Sequence, residues 1–182
     1  MKLRNNNSNY GSLSIGLHWF MLILIVAVYA CMELRDIFPK GSQERDAMKT
    51  WHYMLGMSVL LFALARVIIR ATQTAPIITP EPANWQKILA KLMKISLYVL
   101  MIGMPIAGWL ILSAKGKTVP FFGLQLPMLI GENKSTAGLI KEAHETAATI
   151  GYFLIGLHAL AALFHHYIIK DNTLIRMLPR RD

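Results

Sequence analysis

"GYFLIGLHALAALFHHYIIKD", residues 151–171, decides how this chain is read. The stretch is apolar enough to sit in a lipid bilayer, yet it carries three of the six histidines. A neutral imidazole keeps two polar nitrogens, and burying them without partners costs free energy. Such a residue inside a membrane is a functional candidate by default.

Outward from this stretch, the chain has the composition of a membrane protein. It is 54% hydrophobic and 16% charged, where a soluble domain has about 25% charged residues. The apolar residues gather into four runs, about 13–34, 51–69, 95–114 and 147–169, each near the roughly 20 residues that a spanning helix needs. The pattern predicts an all-α membrane protein, a four-transmembrane-helix bundle occupying 1–182 as a single unit. No internal repeat or low-complexity run interrupts it. The first run is too long for the core of a secretory leader and no A-x-A site follows, so it reads as a helix. The "VYAC" at 28–31 fits a lipoprotein cleavage site badly because of Tyr29. Cys31 is the only cysteine, which excludes an internal disulfide and a cysteine-based metal site.

The net charge of +9 raises the question of nucleic acid, and its distribution answers it. With the N-terminus cytoplasmic, the inner segments hold eleven Lys and Arg and three acids, and the outer segments eight and seven. That bias fits the positive-inside rule with both termini cytoplasmic, and no nucleic-acid partner is expected. The segment 71–85 is an inner loop in which Pro76, Pro80 and Pro82 preclude a long helix. Lys87, Lys91 and Lys94 then share one helix face and suit anionic headgroups, while Arg66 and Arg70 close the second helix, where long cations snorkel. "RDIFPKGSQERDAMK" (35–49) forms the first outer loop. The second, about 115–141, contains "VPFFGLQLPMLIG" and suits a lid in the membrane interface. The third helix has no histidine and reads as a wall, with Pro105 inside it and Gly103 and Ala107 at a spacing that favours close packing.

The six histidines are His18, His52, His144, His158, His165 and His166. A helix turns about 100° and rises about 1.5 Å per residue, so His144 and His158 lie roughly 21 Å apart and about 40° from a common line. His165 is about 20° from His158, and His166 points about 100° away from His165. His18 sits near the inner end of the first helix and His52 at the outer start of the second. Each level therefore has one histidine from the fourth helix and one from another: His52 with His144 outside, His18 with His158 inside. Two facing imidazoles at two depths suit two haems, each clamped axially by a pair. Gly16, Gly56, Gly156 and Ala159 lie beside the candidates and make room for a flat porphyrin. Zinc or copper sites need several ligands close together, which this two-level placement does not supply. A proton relay through the histidines stays open. No Ser or Cys motif supports a nucleophilic enzyme.

"SIGLHW" (14–19), "WHYMLGMSV" (51–59), "LYVLMIGMPIAGW" (97–109) and "HETAATIGYFLIGLHALAALFHHYIIKDNTLIRMLPR" (144–180) resemble the bacterial cytochrome b561 family over nearly the whole chain. Within it the sequence looks most like the small di-haem type that oxidises superoxide and reduces ubiquinone. The resemblance implies a four-helix bundle in the bacterial inner membrane holding two haems b. It pairs His18 with His158 on the inner haem and His52 with His144 on the outer one. His165 and His166 match the family's "HHY", which supplies no ligand in that pattern. The implied activity takes electrons from superoxide at the outer face and passes them to ubiquinone. The alternative is an electron-transfer cytochrome or relay serving another donor, with its protein partner unidentified. Lys49, Lys115, Lys117 and Lys134 are candidates for attracting the anion, although each, like Lys141, also fits an ordinary solvated charge. His165 is a candidate contact for a quinone or a haem propionate. The catalytic residues are not assigned.

Overall fold

The structure is a computed structural model and describes residues 3–178. Lys2, Arg180, Arg181 and Asp182, which entered the charge balance, lie outside the described residues. Four long helices dominate: α1 (Ser12–Leu34), α2 (Gln43–Thr72), α3 (Asn84–Ala114) and α4 (Lys134–Phe164). All four are long and apolar enough to cross a membrane. The chain is thus the all-α four-helix protein expected, and a small hairpin, β1 (Val119–Phe121) with β2 (Leu124–Leu126), joins α3 to α4.

α1 begins where the first apolar run does, but α2, α3 and α4 start about two to four turns earlier than their runs. Those extra turns interleave charged residues with apolar ones, so hydropathy alone misses them. Local chemistry fixes where they begin. The Ser42 hydroxyl accepts from the Arg45 N–H at 3.2 Å and starts α2. Asn133 does the same for α4, accepting from Thr136 N–H at 3.0 Å. At α3 the Gln86 side chain reaches back to the Ala83 N–H at 3.0 Å.

The helices pack in chain order, α1 on α2, α2 on α3 and α3 on α4, while α1 meets α4 only sparsely. Met21 and Leu24 of α1, Val59 and Ala63 of α2 and Met101 of α3 form one buried core. Met57, Leu112 and Val119 form a second, under the hairpin. α4 is the least enclosed span, with 6% of its apolar window buried against 17–22% in the others. The expected close packing at Gly103 is absent: a Cβ there would meet nothing within 4 Å. Close approach occurs instead at Gly151, which lies against Tyr29 and Leu100, and at Gly108, where a Cβ would sit 3.7 Å from the His144 ring.

The two ends of the bundle are built differently. At one end the hairpin turns on Phe122 (φ 45) and Gly123 (φ 89), a two-residue turn of the kind that suits strand twist. Phe122 stacks edge-on to Trp51 with centroids 6.4 Å apart. Trp109 donates to Pro127 O at 2.8 Å, and Ser113 accepts from Leu129 N–H at 3.0 Å. The expected outer lid is therefore a hairpin strapped over α2 and α3. At the other end the two terminal segments and the 71–83 loop hold one another. The Asn5 N–H donates to Gln73, Ile77 N–H to Asn7 O, Asn172 and Thr79 exchange bonds, and Trp19 donates to Met177 O at 2.7 Å.

Candidate functional site

α4 carries its chemistry on one stripe. His144, Gly151, His158 and His165 recur every seven residues, and a seven-residue step turns a helix by only about 20° short of two turns. The stripe faces the sparse seam between α4 and the α1–α2 pair. There His144 meets His52 at the hairpin end, with ring centroids 6.3 Å apart and ring planes at 73°. His158 meets His18 at the termini end, also at 6.3 Å, with the planes at 64°. The structure brings together both pairs expected from the sequence.

This spacing fits a metal between the rings. With metal–nitrogen bonds of about 2.0–2.1 Å and the ring centre about 1.1 Å beyond each nitrogen, two axial imidazoles have centroids about 6 Å apart. Among the described residues no group of three His, Cys, Asp or Glu could hold a metal. A bare ion would have two protein ligands, whereas porphyrin brings its own equatorial nitrogens. Room for a flat macrocycle is present: a Cβ at Gly16, Gly56 or Gly156 would meet nothing within 4 Å. His158 itself and its neighbours Gly156, Leu157, Ala159 and Leu160 are exposed along the open part of α4.

The surroundings orient the rings. His52 Nδ1 lies 3.1 Å from Val28 O. Donation to that carbonyl fixes the tautomer and leaves Nε2 for a metal. His144 Nδ1 is buried without a hydrogen-bond partner, and Gly108 of α3 lies against the same ring. Arg66 does not reach past the end of α2 into solvent. It is half-buried, and its Nη2 lies 3.4 Å from His18 Nδ1.

His165 belongs to a different local structure. α4 runs on into a π-helical turn, His165–Ile169, stopped by Lys170 in the left-handed region (φ 61). Such turns are frequent at functional positions. This one folds the chain back so that the buried Asp171 carboxylate lies 2.6 Å from His165 Nδ1 and accepts from Thr173 N–H at 2.8 Å. Burial by itself would raise the Asp171 carboxyl, but these hydrogen bonds outweigh it and hold the group below the usual carboxylate range. His165 is thus oriented by a carboxylate rather than set opposite another histidine. His165→Ala should keep both haems, read as haem per purified chain. Loss of one would mean that the termini-end pair is misassigned. His166 stacks on Tyr167 at 4.7 Å, and its Nδ1 is buried without a partner.

The four candidate lysines, and Lys141 with them, divide. Lys49 pairs with Asp46 at 2.8 Å and Lys141 with Glu145 at 2.7 Å. Lys115, Lys117 and Lys134 are exposed and make no ion pair among the described residues. Lys115 and Lys117 flank Gly116, in the tight turn (φ 68) between α3 and the hairpin.

Comparison with known proteins places the chain in a family. A family model described as prokaryotic cytochrome b561 matches residues 9–180. The protein named cytochrome b561 homolog 1 of Escherichia coli is 44% identical over 174 residues, covering 96% of this chain and 99% of that one. The probable superoxide oxidase CybB of Yersinia pestis is 38% identical over 175 residues, covering 96% and 98%. Cytochrome b562 of Cereibacter sphaeroides is 28% identical over 176 residues, covering 94% and 96%.

Proposed function

The chain belongs to the prokaryotic cytochrome b561 family, and from that membership we propose a di-haem b protein that oxidises superoxide at the hairpin face and delivers electrons to ubiquinone. The family is one of haem b proteins that carry electrons in bacterial membranes. The two imidazole pairs, each at 6.3 Å and at opposite ends of one α4 stripe, are the observation that supports two haem sites, and the superoxide reading is supported by the name of the Yersinia pestis relative. His52 and His144 hold the haem near the hairpin, and His18 and His158 the haem near the termini. A haem bound at each pair would supply one-electron redox chemistry. The balance is two superoxide anions, one ubiquinone and two protons giving two dioxygen molecules and one ubiquinol.

The protein's own groups serve that balance. Lys115, Lys117 and Lys134 make no ion pair among the described residues at the hairpin face, and although Glu132 lies against the Gly116 turn, their local charge is what would draw a small anion. His165, oriented by Asp171, stands at the other end as a proton-carrying contact for quinone. The lysine and arginine bias supports an inner-membrane protein with both termini cytoplasmic, so the hairpin faces outward. The two protons are then drawn from the termini side.

Mixing superoxide with oxidised protein and a ubiquinone analogue tests the reading. Haem reduction and quinol formation faster than spontaneous dismutation support it. Rates no faster than dismutation leave the second reading, a relay for another donor, a role that the names of two of the relatives, cytochrome b561 homolog and cytochrome b562, would equally suit. In the same assay Lys115→Glu with Lys117→Glu should slow superoxide capture about 10-fold at low salt, with the difference shrinking as salt rises. Haem content should not change.

A further inference from the structure

At the termini end, Arg66, Arg70, Lys94 and Arg176 make no ion pair with an acid among the described residues. Arg66 is half-buried on α2 beside His18. Arg176 is buried in the tail, with its guanidinium 5.6 Å above the Tyr10 ring. Its Nη1 donates to Pro76 O, while its Nε is buried without a partner. Arg66 and Arg176 both lie within electrostatic reach of the Tyr10 phenol, Arg70 within reach of Arg66, and Lys94 within reach of Arg70 and Arg176, while Arg176 is also within reach of the Asp171 carboxylate, which leaves Arg66 and Lys94 without an acid in reach among the described residues.

A guanidinium stays charged in any protein setting, so a buried one needs an anion. The two described acids at this end are already engaged. Glu81 pairs with Lys87 in the loop. Asp171 takes His165 and Thr173 N–H. No ion pair joins Arg66, Arg70, Lys94 or Arg176 to an acid among the described residues. The site therefore wants a ligand that brings its own carboxylates or phosphate. Haem b brings two propionates on one edge, and Arg66 stands beside the His18 imidazole proposed to hold that haem; with Nε2 on iron, His18 Nδ1 carries the proton, and the donor-only guanidinium is free to turn from it to a propionate.

We propose that Arg66 seats the propionates of the haem held by His18 and His158. This rests on the di-haem reading above. Arg66 is a positioning residue: it fixes the edge of the macrocycle toward the termini end and supplies a fixed positive charge beside it. A nearby cation favours the reduced haem, which carries one more electron, so the charge holds this haem's potential up.

Redox titration of purified wild type, Arg66→Gln and Arg66→Lys tests the assignment, with haem per chain measured on each. The expected result is one of two titration waves falling in Arg66→Gln by about 59 mV, a tenfold loss in that haem's reduction equilibrium. The other wave stays in place, and Arg66→Lys recovers most of the shift. If Arg66→Gln loses one haem, retention of that haem in Arg66→Lys supports the proposal, and loss in both variants overturns it. Two unmoved waves at full haem content also overturn it. A parallel drop in co-purified anionic phospholipid would then identify the occupant as a lipid headgroup. Fewer than two haems in the wild type would sink the di-haem reading itself, a result distinct from any of these.

Discussion

His144→Ala leaves one haem per chain instead of two and abolishes electron transfer from the hairpin face. The reason is geometric. His144 and His52 come from α4 and α2, their centroids are 6.3 Å apart, and among the described residues no group of three potential metal ligands includes them. Removal of one imidazole leaves the other with no replacement donor. The second pair lies fourteen residues along α4, roughly 21 Å away, and draws on α1 rather than α2. Its haem should keep a low-spin spectrum. His52→Ala should have the same outcome, although it also frees the Val28 carbonyl that orients the ring. Haem quantitation and reduced-minus-oxidised spectra of the two variants check this. Two low-spin haems in both variants would show that the pair is not the ligand set.

Gly151→Ala should destabilise the protein far more than an alanine in a membrane helix normally does. Gly151 lies midway between His144 and His158 on the α4 stripe. A Cβ there would collide with the Tyr29 hydroxyl and come within 3.2 Å of a Leu100 methyl. Tyr29 is fixed from both sides: it donates to Ala148 O at 2.9 Å, and its ring lies 4.3 Å from Tyr152. Tyr152 in turn donates to Glu33 at 2.8 Å. Displacing the phenol breaks one of the few ties across the α1–α4 seam. Overpacking and a lost hydrogen bond together cost about 2–4 kcal/mol. At about 2–4 °C per kcal/mol for a chain of this size, thermal unfolding in detergent should fall by roughly 5–15 °C. Tyr29→Phe removes the colliding oxygen, so the double variant should recover more than half of that loss. A double variant as unstable as the sum of the single ones would place the strain elsewhere.

Much of this was legible in the residues. Four apolar runs gave four helices, and counting 100° per residue put His144 and His158 on one line with His18 and His52 available at the matching levels. What stayed hidden depends on features that hydropathy does not encode. The early starts of α2 and α4 are set by single capping side chains, Ser42 and Asn133. The His165–Asp171 contact needs the π-helical turn and the left-handed Lys170, which swing a residue six positions away back onto the ring. Regular helix geometry would place those two residues on different faces. Arg66 looked like a cation snorkelling past a helix end, because sequence gives its depth but not its direction. Gly103 invited a close-packing reading from spacing alone, and the real close approach is at Gly151, whose partner Tyr29 is distant in sequence.

The central claim is that each histidine pair holds one haem b. Haem extraction and quantitation on the purified wild-type chain, with a reduced-minus-oxidised spectrum, tests it most directly. Two low-spin b-type haems per chain are predicted. A chain purified from haem-replete cells that carries one haem or none would contradict it.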